Sequence, residues 1–146
     1  MDTKILSGKV VSESVYKNIK SRIDILAAKS INPGLAVILV GDDGPSQVYV
    51  QNKTKTFTNL GLYSETIKLK KETSQKKLLE ILQKLNDDNK YHGILVQLPL
   101  PSHIDNETII KSINPKKDVD GFHPLNLGAL EAGKPTFTPC TLKGIM

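Results

Sequence analysis

Residues Leu35-Ala36-Val37-Ile38-Leu39-Val40 form an unbroken apolar run, rich in branched side chains and closed off by Gly34 and Gly41. Such a short run suits a strand buried on both faces. A strand with one wet face would alternate, so the run points to the interior of a parallel sheet. Gly41-Asp42-Asp43-Gly44-Pro45 follows, a cluster of turn formers that demands a loop. Ser46 is then placed to act as a helix N-cap, its hydroxyl accepting from an amide of the next turn. The helix it opens runs toward Asn59-Leu60-Gly61, where Gly61 can take the left-handed cap conformation.

The rest of the chain repeats this alternation. Apolar residues at Val11, Val15, Ile19, Ile23 and Leu26 predict an amphipathic helix within Ser7–Lys29, ended by Asn32-Pro33-Gly34. Leu62–Leu69 alternates as a second, more exposed strand. Thr73 or Ser74 caps a helix carrying Leu78, Leu82 and Leu85, closed by Asn86-Asp87-Asp88-Asn89. His92–Leu98 is a third strand, stopped by Pro99. A short helix at Asn106–Ser112, a loop at Ile113–Pro124 and an irregular tail complete the expectation. A helix and then βαβαβ gives an α/β fold: an open three-layer α-β-α domain on a mainly parallel sheet with right-handed crossovers. The segments leaving the strands then gather at one edge, where open α/β sheets bind ligands. Thr138-Pro139-Cys140-Thr141 resembles a helix start, yet only five residues remain after it. That is too few to hold a helix in water, so a fragment or truncated reading frame is expected.

Composition removes several classes of function. A chain of 146 residues fits one domain. With 38% hydrophobic and 24% charged residues it has the balance of a globular protein, and no segment approaches the ~18 apolar residues of a membrane span. The N-terminus, MDTKILSGKV, lacks a signal-peptide core. Cys140, the single cysteine, excludes an internal disulfide or a cysteine-based zinc site and suits a reducing cytoplasm. The formal net charge is +5, but only Arg22 among the twenty basic residues is arginine. The densest cluster, Lys68, Lys70, Lys71, Lys76 and Lys77, has no interleaved aromatics, so a solvated face is expected rather than a nucleic-acid surface.

Tyr49 and Lys53 stand one helical turn apart on one face. Spacing leaves two readings open: a tyrosine packed on the sheet beside a solvated lysine, or both facing a ligand. Gln97 ends an apolar strand, where its amide must find partners. It caps the strand's own backbone, or it orients Lys53 and shares a ligand contact. In Lys116–Pro124, Asp118 is placed to pair with Lys116 or Lys117, and Asp120 is freer to accept from a ligand, although Asp120-Gly121 is also a common turn pair. His123, His92 and His103 lack ligand partners, so no metal site is expected. Neither G-x-G-x-x-G nor G-x-x-x-x-G-K-[ST] is present.

Four motifs in order, VGDDGPSQVYVQNKTK, GILVQLPLP, PKKDVDGFHPLNLGAL and PCTLKGI, span essentially the whole chain. Together they resemble the bifunctional methylenetetrahydrofolate dehydrogenase/methenyltetrahydrofolate cyclohydrolase family. The resemblance implies one-carbon metabolism, feeding purine biosynthesis: oxidation of 5,10-methylenetetrahydrofolate, then hydrolysis of the methenyl cation to 10-formyltetrahydrofolate. It implies Lys53 as the catalytic lysine, Tyr49 stacking on the aminobenzoyl ring, Gln97 partnered with the lysine and Asp120 bonding the pterin. Ser46, Val96, Leu98, Pro99 and Pro101 are implied to line the substrate pocket. Residues 1–140 are then a folate-binding catalytic domain and 141–146 the start of an inter-domain helix, where the family usually has proline in place of Leu142. The NAD(P)-binding Rossmann domain of the family is expected to be absent from this chain. The family uses NADP or NAD, and this chain is expected to bind neither alone. Tetrahydrofolate derivatives, with or without a polyglutamate tail, are the implied partners. The full-length family forms homodimers and the fragment a monomer, with cyclohydrolase activity at most. A non-catalytic folate-binding or interaction remnant is the alternative, and a lysine-based Schiff-base site a third reading.

Overall fold

The structure, a computed structural model, describes residues 7–145, in two compact units divided between Asn32 and Pro33. The first unit is one long helix, α1 (Gly8–Ala27), with no residue buried and Val10, Val11, Val15, Tyr16 and Ile25 exposed.

The second unit runs β1 (Gly34–Val40), α2 (Gly44–Asn59), β2 (Tyr63–Leu69), α3 (Gln75–Asp87), β3 (Gly93–Val96), α4 (Asn106–Ser112), α5 (Pro124–Glu131) and α6 (Cys140–Ile145). The strands form an open parallel sheet in the order β2-β1-β3, so the most apolar strand takes the centre. All seven residues of β1 are buried, as a strand covered on both faces requires. Its side chains alternate between two cores. Ala36, Ile38 and Val40 join Ile94 and Val96 against Leu78, Leu82 and Leu85 of α3 and Ile109 of α4. Leu35, Val37 and Leu39 join Leu95 against Val50 and Phe57 of α2. Helices flank both faces, giving the α-β-α layering. No helix among the described residues is long and apolar enough to cross a membrane.

Three local expectations change. The N-cap of α2 is Asp43, not Ser46: the Asp43 carboxylate accepts from the Ser46 amide at 3.0 Å, and Ser46 is buried within the first turn. Either residue type can cap; Pro45 settles the choice, because a proline fits a helix's first turn and so moves the start upstream. The tail is not irregular but holds α5, begun by Pro124 and capped by His123, whose Nδ1 accepts from the Leu125 amide at 3.1 Å. Six residues from Cys140 do form α6, with the Lys143 amide bonded to the Pro139 carbonyl at 3.1 Å. The side chain of Leu142 lies outside the described residues. Lys68, Lys70, Lys71, Lys76 and Lys77 are all exposed.

Candidate functional site

A cleft of about 970 Å³ opens beside α2, on the sheet face that carries Leu35 and Leu95. Its floor is apolar, and its polar groups come from three separate segments. Tyr49 and Lys53 descend from α2, Gln97 stands just past the end of β3, and Asp120 projects from the loop before α5. Val96 and Leu98 also line it. The other expected residues lie elsewhere. Ser46 is buried in the first turn of α2, and Pro99 and Pro101 are not among the lining residues. The Leu98–Pro99 peptide bond is cis.

Gln97 bonds both to the backbone and toward Lys53. Its Nε2 donates to the Leu98 carbonyl at 2.8 Å, which leaves Oε1 facing Lys53 Nζ at 3.4 Å. Thus the backbone orients the amide and the amide orients the lysine. Tyr49 is 63% exposed, so one face of its ring is open for stacking. Burial pushes the Asp120 carboxyl above its ordinary value; Lys53 pulls it back down and Asp118 adds to the rise.

Asp118 does not pair with Lys116 or Lys117. It is 2% exposed and accepts from the Gly121 and His123 amides and from Asn126 Nδ2. Lys117 turns away and donates to the carbonyls of Leu85, Asn86 and Asp88, which cap the end of α3. Local sequence suggests an ion pair because the charges adjoin, but the chain bends so that each finds backbone partners first.

Asn52, Thr56 and Phe57 of α2, Phe122 and Leu127, and Cys140 and Thr141 of α6 also line the cleft, beyond the residues that sequence reasoning reaches. Asn52 and Thr56 carried a usable signal, since with Tyr49 and Lys53 they complete the i, i+3, i+4, i+7 face of one helix. Nothing in local pattern brings α6 to the same cleft.

The family model described as tetrahydrofolate dehydrogenase/cyclohydrolase, catalytic domain, matches residues 6–120. This chain belongs to that family. It is 49% identical over 143 residues to the bifunctional protein FolD of Geotalea daltonii, covering 98% of this chain and 51% of that protein. To the FolD of Acetivibrio thermocellus it is 49% identical over 146 residues, covering 100% and 51%. The chain therefore spans about half the length of the curated relatives it matches. Among solved structures, the FolD of Campylobacter jejuni superposes with a TM-score of 0.92 at 45% identity over 95% of this chain and 50% of that one. The Trypanosoma brucei enzyme, solved with NADP cofactor and an inhibitor, gives 0.92 at 30% identity over 100% and 50%.

The described residues do not fit a dinucleotide in the way a Rossmann unit does. A pyrophosphate would need the amides opening the helix after β1, and there the Asp43 carboxylate already occupies the Ser46 amide. No group of three or more His, Cys, Asp or Glu that could hold a metal converges among the described residues.

Proposed function

We propose that the cleft binds a tetrahydrofolate derivative and that this chain, the catalytic domain of its family, hydrolyses 5,10-methenyltetrahydrofolate to 10-formyltetrahydrofolate. The observation that carries the reading is the Lys53–Gln97 hydrogen bond set in an apolar cleft opposite Asp120. The volume lies at the upper end of small-molecule sites and suits a long, partly aromatic ligand. Asp120 accepts from the pterin N–H groups, Tyr49 offers its open face to the aminobenzoyl ring, and Val96 and Leu98 pack along the ligand. Ser46, Pro99 and Pro101 do not line the cleft and have no ligand contact in this reading.

Hydrolysis is a consequence of this placement. The methenyl carbon is cationic and needs a water nucleophile delivered to it. Lys53, guided by Gln97, takes the water's proton as its oxygen bonds to carbon. The bond from that carbon to N5 then breaks as the remaining O–H closes to C=O; N5 keeps the electron pair and takes up the proton the hydroxyl releases, and the formyl group remains on N10. Dehydrogenation at the same site needs NADP, the cofactor with which the Trypanosoma brucei enzyme was solved, presented by a nucleotide-binding part. Residues 1–140 are the folate-binding unit in this reading and 141–146 open the helix toward such a part. In this reading the chain works on folates in the cytoplasm.

The test is the decay of methenyltetrahydrofolate absorbance with wild type and Lys53→Met. Loss of catalysed decay in the variant is expected, and equal rates would remove the lysine from the mechanism. Tight binding with no turnover by wild type would favour a non-catalytic folate-binding module.

A further inference from the structure

Near Asp120 in the chain, three polar side chains that do not line the cleft form a hydrogen-bonded line. Asp118 Oδ1 accepts from the Gly121 amide at 3.1 Å, and Oδ2 accepts from the His123 amide at 2.8 Å and Asn126 Nδ2 at 2.9 Å. Asn126, 8% exposed, has every polar side-chain atom engaged: Nδ2 also donates to the Pro115 carbonyl at 2.9 Å, and Oδ1 accepts from Thr136 Oγ1 at 2.8 Å. No lysine, arginine or histidine forms an ion pair with Asp118 among the described residues, so hydrogen bonds alone satisfy this buried carboxylate.

The line ends where the cleft wall begins. Thr136 is not among the lining residues, but the chain it starts leads through Pro139 to Cys140 and Thr141, which are. This stretch also presses on the turn after Asp120, since a Cβ on Gly121 would meet the Phe137 carbonyl oxygen at 2.8 Å. On its other side the same loop is bridged to β3 through Ile94 and Asp118.

We propose that Asp118, Asn126 and Thr136 are positioning residues, which hold Asp120 against the Pro139–Thr141 wall and so set the cleft's affinity for the substrate ring. The inference rests on the folate reading and deepens it. A hydroxyl outside the cleft then controls a contact inside it.

The experiment measures methenyltetrahydrofolate binding by the full chain in a double-mutant cycle. Thr136→Val, which keeps the shape and deletes the hydroxyl, weakens binding about threefold, the worth of one hydrogen bond. Thr136→Ser restores it. In an Asp120→Ala background, Thr136→Val has no further effect, because the group being positioned is gone. No loss in the first case, or the same loss in both backgrounds, overturns the proposal. Hydrogen exchange at the Gly121 and His123 amides of the ligand-free chain is the second readout. Faster exchange in Thr136→Val is expected, and unchanged exchange overturns the proposal. If the wild type binds no folate, the functional reading fails on that result, and the exchange rates still decide whether this line of residues holds the Asp120 loop.

Discussion

Lys53 Nζ lies 3.4 Å from Gln97 Oε1, a helix-borne amine facing a strand-end amide whose other end is bonded to the Leu98 carbonyl. The contact is long for a hydrogen bond, so it guides the amine without locking it. Replacing Gln97 by Glu keeps the size of the side chain but gives Lys53 a carboxylate partner in place of a neutral amide, a stronger hydrogen bond that ties up the nitrogen. The Gln97→Glu variant should hydrolyse methenyltetrahydrofolate about tenfold more slowly, the equivalent of about 1.4 kcal/mol of barrier. An unchanged rate would show that the amide does not guide Lys53.

Asp120 is shifted by its own burial. Burial raises its proton affinity in the folded chain, so its ionised form opposes folding at neutral pH. The penalty is absent below the unfolded value of about 3.9 and grows as pH rises through the folded one. Asp120→Asn should therefore raise the urea midpoint at pH 7, with the gain shrinking toward pH 4, while folate affinity falls at both. A variant less stable than wild type at pH 7 would mean that Asp120 is held by partners rather than merely buried.

The elements of the fold legible in sequence are those where period and burial agree. The apolar run of β1 carries its own burial, and the three leucines of α3 carry theirs, so the parallel sheet and its layering come from apolar patterning and crossover rules. Tyr49 and Lys53 are legible because helical spacing sets them on one face. By contrast, α5 has no apolar stripe to announce it. It depends on a His123 cap and on Asn126, a buried amide bonded to Pro115, Asp118 and Thr136, all beyond its own helix. Asp118 departs from expectation for the same reason: adjacent charges are visible in sequence, and backbone amides folded around a carboxylate are not.

The cap on α2 gives a prediction of its own. Ser46, through its side chain first and its amide second, holds the Asp43 carboxyl below its ordinary value. A depressed carboxyl lends stability above the unfolded value of about 3.9 and loses it as pH falls through the folded one. Asp43→Ala should lower the urea midpoint at pH 7 and weaken folate binding, because α2 carries Tyr49 and Lys53. Asp43→Asn keeps an acceptor and should retain most of both. The difference between wild type and Asp43→Asn should shrink as pH falls and the wild-type carboxyl takes up its proton. A difference that stays constant as pH falls would place the effect outside the charge.

Two glycines separate backbone strain from close approach. Gly121 and Gly133 both adopt left-handed backbone, with φ of +72° and +64°. An alanine at either position carries the same conformational cost, about 1 kcal/mol. At Gly133 an added Cβ would have nothing within 4 Å, whereas at Gly121 it would meet the Phe137 carbonyl oxygen at 2.8 Å and the Pro139 nitrogen at 3.1 Å. Those are backbone atoms and cannot step aside as a flexible side chain would. Gly133→Ala should thus cost about 1 kcal/mol in urea unfolding and leave folate affinity intact. Gly121→Ala should cost about 2–4 kcal/mol, strain and overpacking together, and also weaken folate binding by displacing Asp120 from the cleft. Equal costs at the two positions would mean that the Phe137–Pro139 segment yields freely, and the wall behind Asp120 would then be too soft to position it.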